Sequence, residues 1–201
     1  MTFINQKWFD MPESRLLASG ADLRSSRSEI VSPSGEVLAR ITNGGITAPR
    51  RVELSVATRI VRLAGGGLPQ DAASGCWWLE WSQYKRVEVF ADARGMSMPV
   101  AMRVLACVPL EWNEMTMVVQ ARLKLPLLAY AGASAPVVQK NPKFGVNELI
   151  SGLDDVGARI EQLYIPGMTS PDLRHDAVMV EGYGHLPANL SRNGYIIRLQ
   201  T

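Results

Sequence analysis

The residues best suited to chemistry lie in the C-terminal third of the chain: Glu161, Glu181, Tyr183 and His185. A carboxylate, a phenol and an imidazole held together would do acid–base work. If residues 177–183 form a strand, side chains two apart share a face, so Glu181 and Tyr183 are expected side by side. His185 follows in the Gly-rich run Glu181-Gly182-Tyr183-Gly184-His185, where backbone can approach a ligand closely. No nucleophile accompanies them: there is no Gly-x-Ser-x-Gly, and neither cysteine has a histidine near it in sequence. Two cysteines and two histidines at these spacings match no zinc module, so neither a metal nor a cofactor is expected.

A second concentration of chemistry is Gly75-Cys76-Trp77-Trp78-Leu79-Glu80-Trp81-Ser82-Gln83-Tyr84-Lys85-Arg86. On a helix, Trp77, Trp81, Tyr84, Val87 and Ala91 fall on one face and Trp78 to its side. A nucleic-acid platform wants cations beside its aromatics. Here Glu80 and Glu88 project near the aromatic face, and Lys85 and Arg86 point elsewhere. The stretch therefore reads as an aromatic core helix. Trp78, Trp81, Tyr84 and Arg86 are its candidates for touching a ligand or partner, and Trp78 is the one expected at the surface.

Val87 to Val104 has the outline of a helix-turn-helix, with Ala91 and Gly95 as the small turn residues. Its second helix would offer Ser97, Met98, Pro99, Val100 and Arg103 to a major groove. That set is poor in the Arg, Lys, Asn and Gln that read base edges, so a plain helical hairpin is the simpler expectation. DNA binding through 87–104 stays a lesser alternative.

The segment Arg159-Ile160-Glu161-Gln162-Leu163-Tyr164-Ile165-Pro166-Gly167, followed by two more strand-like runs, resembles the C-terminal part of ADP-ribosyltransferase domains. That resemblance implies that Glu161 orients the ribose of NAD and that an Arg or His on the first core strand meets the dinucleotide. The corresponding strand here, Leu127 to Ala131, offers neither. An enzyme acting on a nucleotide-like substrate is thus the alternative to a non-catalytic domain that binds a protein or a ligand.

The elements that must position these residues follow from periodicity and punctuation. Asp10, Pro12 and Glu13 read as a helix start, with Leu16 and Leu17 on its apolar face and Gly20 ending it. Residues 28–31 and 36–41 flank Ser32-Pro33-Ser34-Gly35 and read as a β-hairpin. Residues 48–64 read as a helix on the spacing of Val52, Val56, Ile60 and Leu63, with Thr47 as cap and Pro49 in its first turn. Gly65-Gly66-Gly67 within 65–70 is a hinge that sets off a small N-terminal lobe, 1–64, from the rest of a single α+β domain over 1–201. The middle segment, about 75–125, reads as three helices: Gly75 to Arg94, Ser97 to Cys107, and one from Pro109 with Trp112, Met115, Val119 and Leu123 on one face. Beyond Pro126, Leu127–Ala131, Arg159–Ile165, Ala177–Tyr183 and Tyr195–Leu199 read as strands, and Asn147 to Leu153 as a short helix or turn. The fold class is α+β: a helical middle on a mostly antiparallel C-terminal sheet, with an N-terminal β-hairpin and helix.

Composition bounds the rest. Apolar residues make up 47% and charged residues 20% of 201, the balance of a globular chain rather than a disordered one. Twenty-one basic against 19 acidic residues gives a net charge of +2, too even for a nucleic-acid coat. No apolar run is long enough for a membrane span, and the start lacks a secretory pattern. A cytoplasmic protein that meets a protein partner or itself is expected; a small-molecule ligand is a further option, nucleic acid is not favoured, and no membrane is implied.

Overall fold

The stretch Arg59-Ile60-Val61-Arg62-Leu63-Ala64 sets the architecture. Ile60 and Ala64 pack into one apolar cluster, Val61 and Leu63 into another. That period of two belongs to a strand buried on both faces, not to a helix. A computed structural model describes residues 3–20, 29–31, 37–40, 44–65, 67–109, 112–140, 147–150 and 159–186. Its elements in chain order are α1 (Gln6–Phe9), α2 (Pro12–Ala18), β1 (Glu29–Val31), β2 (Val37–Arg40), β3 (Arg50–Leu54), β4 (Arg59–Ala64), α3 (Pro69–Ala72) and β5 (Trp77–Glu80). There follow α4 (Trp81–Arg94), α5 (Met98–Ala106), β6 (Met117–Leu123), β7 (Leu127–Ala133), β8 (Val137–Lys140), β9 (Asn147–Ile150), β10 (Glu161–Tyr164), α6 (Pro171–Ala177) and β11 (Val178–His185).

Seven strands form one antiparallel sheet in the order β11-β6-β4-β5-β10-β7-β3; β1 pairs with β2, and β8 with β9. The fold is α+β, with helices packed on this open sheet. One face carries Ile60, Val119, Leu123, Leu127 and Leu163 and is covered by α3 and α6 through Ala72, Leu173 and Ala177. The opposite face carries Val61, Leu63, Leu79 and Val118 and is covered by α4 and α5 through Tyr84, Val87, Ala101 and Leu105. A third cluster seats α1 and α2 on β7 and β10, with Phe9 stacked on Tyr130 at 4.5 Å.

Two expected helices are strands and a third begins later than expected, each for a readable reason. Residues 48–64 are β3 and β4, joined by a turn in which Ala57 takes φ +67 and its N–H bonds the Leu123 carbonyl at 2.8 Å. Val56, counted in the helical stripe, is exposed in that turn. The stretch is rich in β-branched residues, which suit a pleated surface. The helix expected from Gly75 begins only at Trp81, because Trp77 to Glu80 pair with β4 and β10 as β5. The helix expected from Pro109 is β6, in which Met117, Val119, Ala121 and Leu123 face one way at period two. The helical middle is therefore α4 and α5 alone. Asn147 to Ile150 is the strand β9, not a helix or turn, and residues 151–153 lie outside the described residues.

Other expectations hold. The strands expected on either side of Ser32-Pro33-Ser34-Gly35 pair as β1 and β2, the turn itself lying outside the described residues; α5 starts after Ser97 with Pro99 in its first turn and ends at Cys107; β7, β10 and β11 are strands. Gly95 stops α4 in the left-handed conformation, φ +59. The expected first helix, α2, has Met11 rather than Asp10 at its N-cap position, with no side-chain cap, and α1, α3 and α6 are additional. Tyr195–Leu199 lies outside the described residues. No helix among the described residues is long and apolar enough to cross a membrane.

Candidate functional site

The four C-terminal candidates stand on two strands. Glu161 opens β10; Glu181, Tyr183 and His185 lie on β11. β5, β4 and β6 separate those strands, about 19 Å at the usual strand spacing. Each carboxylate is occupied. Glu161 accepts from Arg50 Nη2 at 2.5 Å, while its backbone N–H donates to Gln83 Oε1 on α4 at 3.0 Å. Glu181 accepts from Arg122 Nε at 2.5 Å and pairs with Arg59 at 3.4 Å.

The expectation that Glu181 and Tyr183 share a face is corrected by a β-bulge. Val180 opposes Ala121 and Gly182 opposes Gln120, so Glu181 is the extra residue between them. Tyr183 then opposes Val119, whose side chain lies on the Ile60 face, while Glu181 reaches Arg122 and Arg59 on the other. His185 opposes Met117 and goes with Tyr183. The structure brings Tyr183 and His185 together and parts both from Glu181 and Glu161. Tyr183 is 61% exposed and His185 is exposed.

The aromatic run is likewise divided between elements. Trp78 is not at the surface: it is 2% exposed in the core under α3, its indole N–H on the Gly75 carbonyl at 2.7 Å. Trp81 is half-buried on α4, 5.5 Å from Tyr84, with the Lys85 ammonium 5.0 Å over its ring. Tyr84 is buried; desolvation, then the neighbouring Glu88 carboxylate, push its phenol up to about 12. Arg86 is exposed on the same helix, with Nη1 3.4 Å from Gln83 Oε1. These four make no continuous patch. Among the described residues no group of three His, Cys, Asp or Glu is placed to hold a metal.

Two surfaces remain as sites. The first is β11 itself. Among the described residues it pairs on one side only, with β6. It exposes Met179 and Val180 as well as Tyr183. The sheet's other edge, β3, carries Arg50, Arg51 and Glu53, the charges that ordinarily blunt an edge.

The second is a cavity of about 200 Å³ between the Val61 face, the end of α5 and the segment 112–115. Trp77, Leu79 and Gln162 line it from the sheet, Met102 and Cys107 from α5, and Trp112 and Met115 from the segment. Cys107 and Met115 both take φ +52 at its rim. The Met115 conformation is held by its own N–H on Asn113 Oδ1 at 2.8 Å, and Asn113 Nδ2 reaches the Leu63 carbonyl at 3.1 Å. Burial pushes the Cys107 thiol up to about 11, so it is a protonated wall group, not a nucleophile. Sequence reasoning missed this site. Its one local signal was Trp112, an aromatic in the Pro/Asn-containing run Pro109 to Asn113.

No family model matches the sequence, and no curated protein does. Among solved structures, one similar chain comes from Rhs1-CT in complex with cognate immunity protein RhsI1: 12% identity, 70% of this chain and 83% of that one covered, TM-score 0.40. Another comes from the structure of Tne2 in complex with Tni2: 11% identity, 69% and 92% covered, TM-score 0.41. Both complexes join two proteins, and at these scores neither likeness decides the fold or the function of this chain.

Proposed function

We propose that this chain is a non-catalytic binding domain whose β11 edge receives an extended acidic segment of a partner protein. One observation carries the reading: β11 is an eight-residue edge strand with Met179, Val180 and Tyr183 exposed and, among the described residues, no neighbour on its outer side. An added strand would gain main-chain hydrogen bonds from the edge and selectivity from alternate side chains. Inward of that edge, on the face opposite Tyr183, the Arg122 and Arg59 guanidinium groups of β6 and β4 stand against the single Glu181 carboxylate, a positive charge that suits an acidic segment. An acid–base role draws less support, since three strands lie between Glu161 and Glu181 and each is paired with arginine.

The test compares the full chain with a Val180→Glu/Tyr183→Glu variant, recovering complexes from the source cells at matched loading. Loss of one co-purifying protein by about tenfold, the scale of losing a central interface anchor, is expected. Equal recovery by two chains with the same circular dichroism contradicts the reading. A doubled mass in light scattering that the variant abolishes would assign the edge to a second copy of the chain instead.

A further inference from the structure

We propose that the cavity behind Trp112 binds an uncharged planar ring compound of one or two rings, presenting an N–H donor to Gln162. The site is distinct from the β11 edge and does not depend on that reading.

Size is the first argument. The cavity is partly open to solvent beside Trp112 and measures about 200 Å³. An engineered cavity of about 150 Å³ lined by aliphatic and aromatic side chains takes up benzene, so this one has room for a ring and its substituents.

Charge is the second. No ionised side chain of the described lining turns inward. Arg62 borders the cavity from β4, but its side chain alternates with Val61 and Leu63 and follows Ile60 and Ala64 to the other face. There its Nε donates to the Ala72 carbonyl at 2.9 Å and its Nη1 to the Trp77 carbonyl at 2.8 Å. An ion entering behind Trp112 would give up part of its hydration and meet no counter-charge among the described lining residues, which disfavours it.

Shape and polarity complete the match. Trp77 and Trp112 supply flat walls, and Met102 and Met115 supply thioethers, which contact aromatic rings favourably. Gln162 is buried at 5% exposure. Its Nε2 donates to the Ala106 carbonyl at 3.1 Å and to Ser134 Oγ at 2.7 Å, and that hydroxyl donates onward to the Leu105 carbonyl at 2.9 Å. A carbonyl can only accept, so the network fixes the amide orientation. Both amide hydrogens are used, and Oε1 is left to accept from a ligand N–H. Trp112, 50% exposed, forms the outer wall; its ring lies so close over Gly44 that a Cβ there would sit 3.3 Å from it.

Isothermal titration of the full chain with adenine, uracil and benzamide, and with benzoate as an anionic probe, tests the assignment. At least one uncharged probe is expected to bind one to one with Kd on the order of 1 mM or tighter, and benzoate about tenfold more weakly or not at all. Ala106→Ile, which adds bulk to the cavity from α5, is expected to weaken binding about tenfold in a chain shown to be folded by circular dichroism. Should that variant not fold, Trp112→Ala at the exposed wall provides the second reading, with a loss of roughly fivefold. The proposal is overturned if none of the three uncharged probes binds, if benzoate binds equally well, or if the folded variants bind like the parent.

Discussion

Arg62 shows how one side chain can settle a backbone. Its guanidinium lies against Gly75, where an added Cβ would fall 2.1 Å from Arg62 Cζ. Burial lowers its pKa from the ordinary value, and no carboxylate among the described residues pairs with it, so the Ala72 and Trp77 carbonyls carry its solvation. Gly75→Ala would displace those bonds, and a loss of about 1–3 kcal/mol in urea unfolding is expected. Cys107 and Tyr84 give a pH dependence. Both folded values are raised, from 9.0 to about 11 and from 10.0 to about 12, by burial first. The folded state then holds these protons where the unfolded state has lost them. Their stabilisation is full below pH 9 and falls as pH rises from there through the folded values. The urea midpoint should therefore decline between pH 9 and 11, and less steeply in Cys107→Ala.

At the scale of elements, exposed Gly95 isolates a conformational effect. It ends α4 at φ +59, and no atom lies within 4 Å of where a Cβ would be. Gly95→Ala therefore changes only backbone strain, and a cost of about 1 kcal/mol in chemical denaturation is expected. The Glu181 bridge to Arg122 and Arg59 spans β11, β6 and β4 but is partly solvated. Glu181→Gln should cost less than about 1 kcal/mol, with the difference shrinking at high salt. Much was legible at this scale wherever one period was unopposed: α5 between Ser97 and Cys107, β7 after Pro126, β10 and β11. It failed where a strand is buried on both faces. Trp77, Trp78 and Leu79 are apolar in succession because β5 has core on each side, and a run without alternation is easily taken for helix. The bulge at Glu181 carries no mark in the sequence beyond Gly182, yet it decides which face Tyr183 occupies.

For the whole molecule, the sheet draws its strands from residues 50–64 as well as 77–185, with β4 between β6 and β5 and β3 at the edge beside β7. Removing β4 would open the middle of the sheet, so heat unfolding is expected as one transition across 50–185, with calorimetric and van't Hoff enthalpies equal. Two resolved transitions would instead favour the separate lobe suggested by Gly65 to Gly67. This long-range order is also why the cavity was hidden: Asn113 closes it by reaching Leu63, fifty positions away, and Gln162 by reaching Ala106. Sequence spacing carries no trace of such meetings.

The measurement that bears most directly on the binding edge is photocrosslinking in the source cells, with a benzophenone amino acid placed at Tyr183 and, in a second chain, at the exposed Val89 of α4. A discrete adduct is expected from position 183, with a crosslinked peptide rich in Asp and Glu, and none from position 89. Adducts from 89 alone, or none from 183 in a folded chain, would contradict binding at the β11 edge.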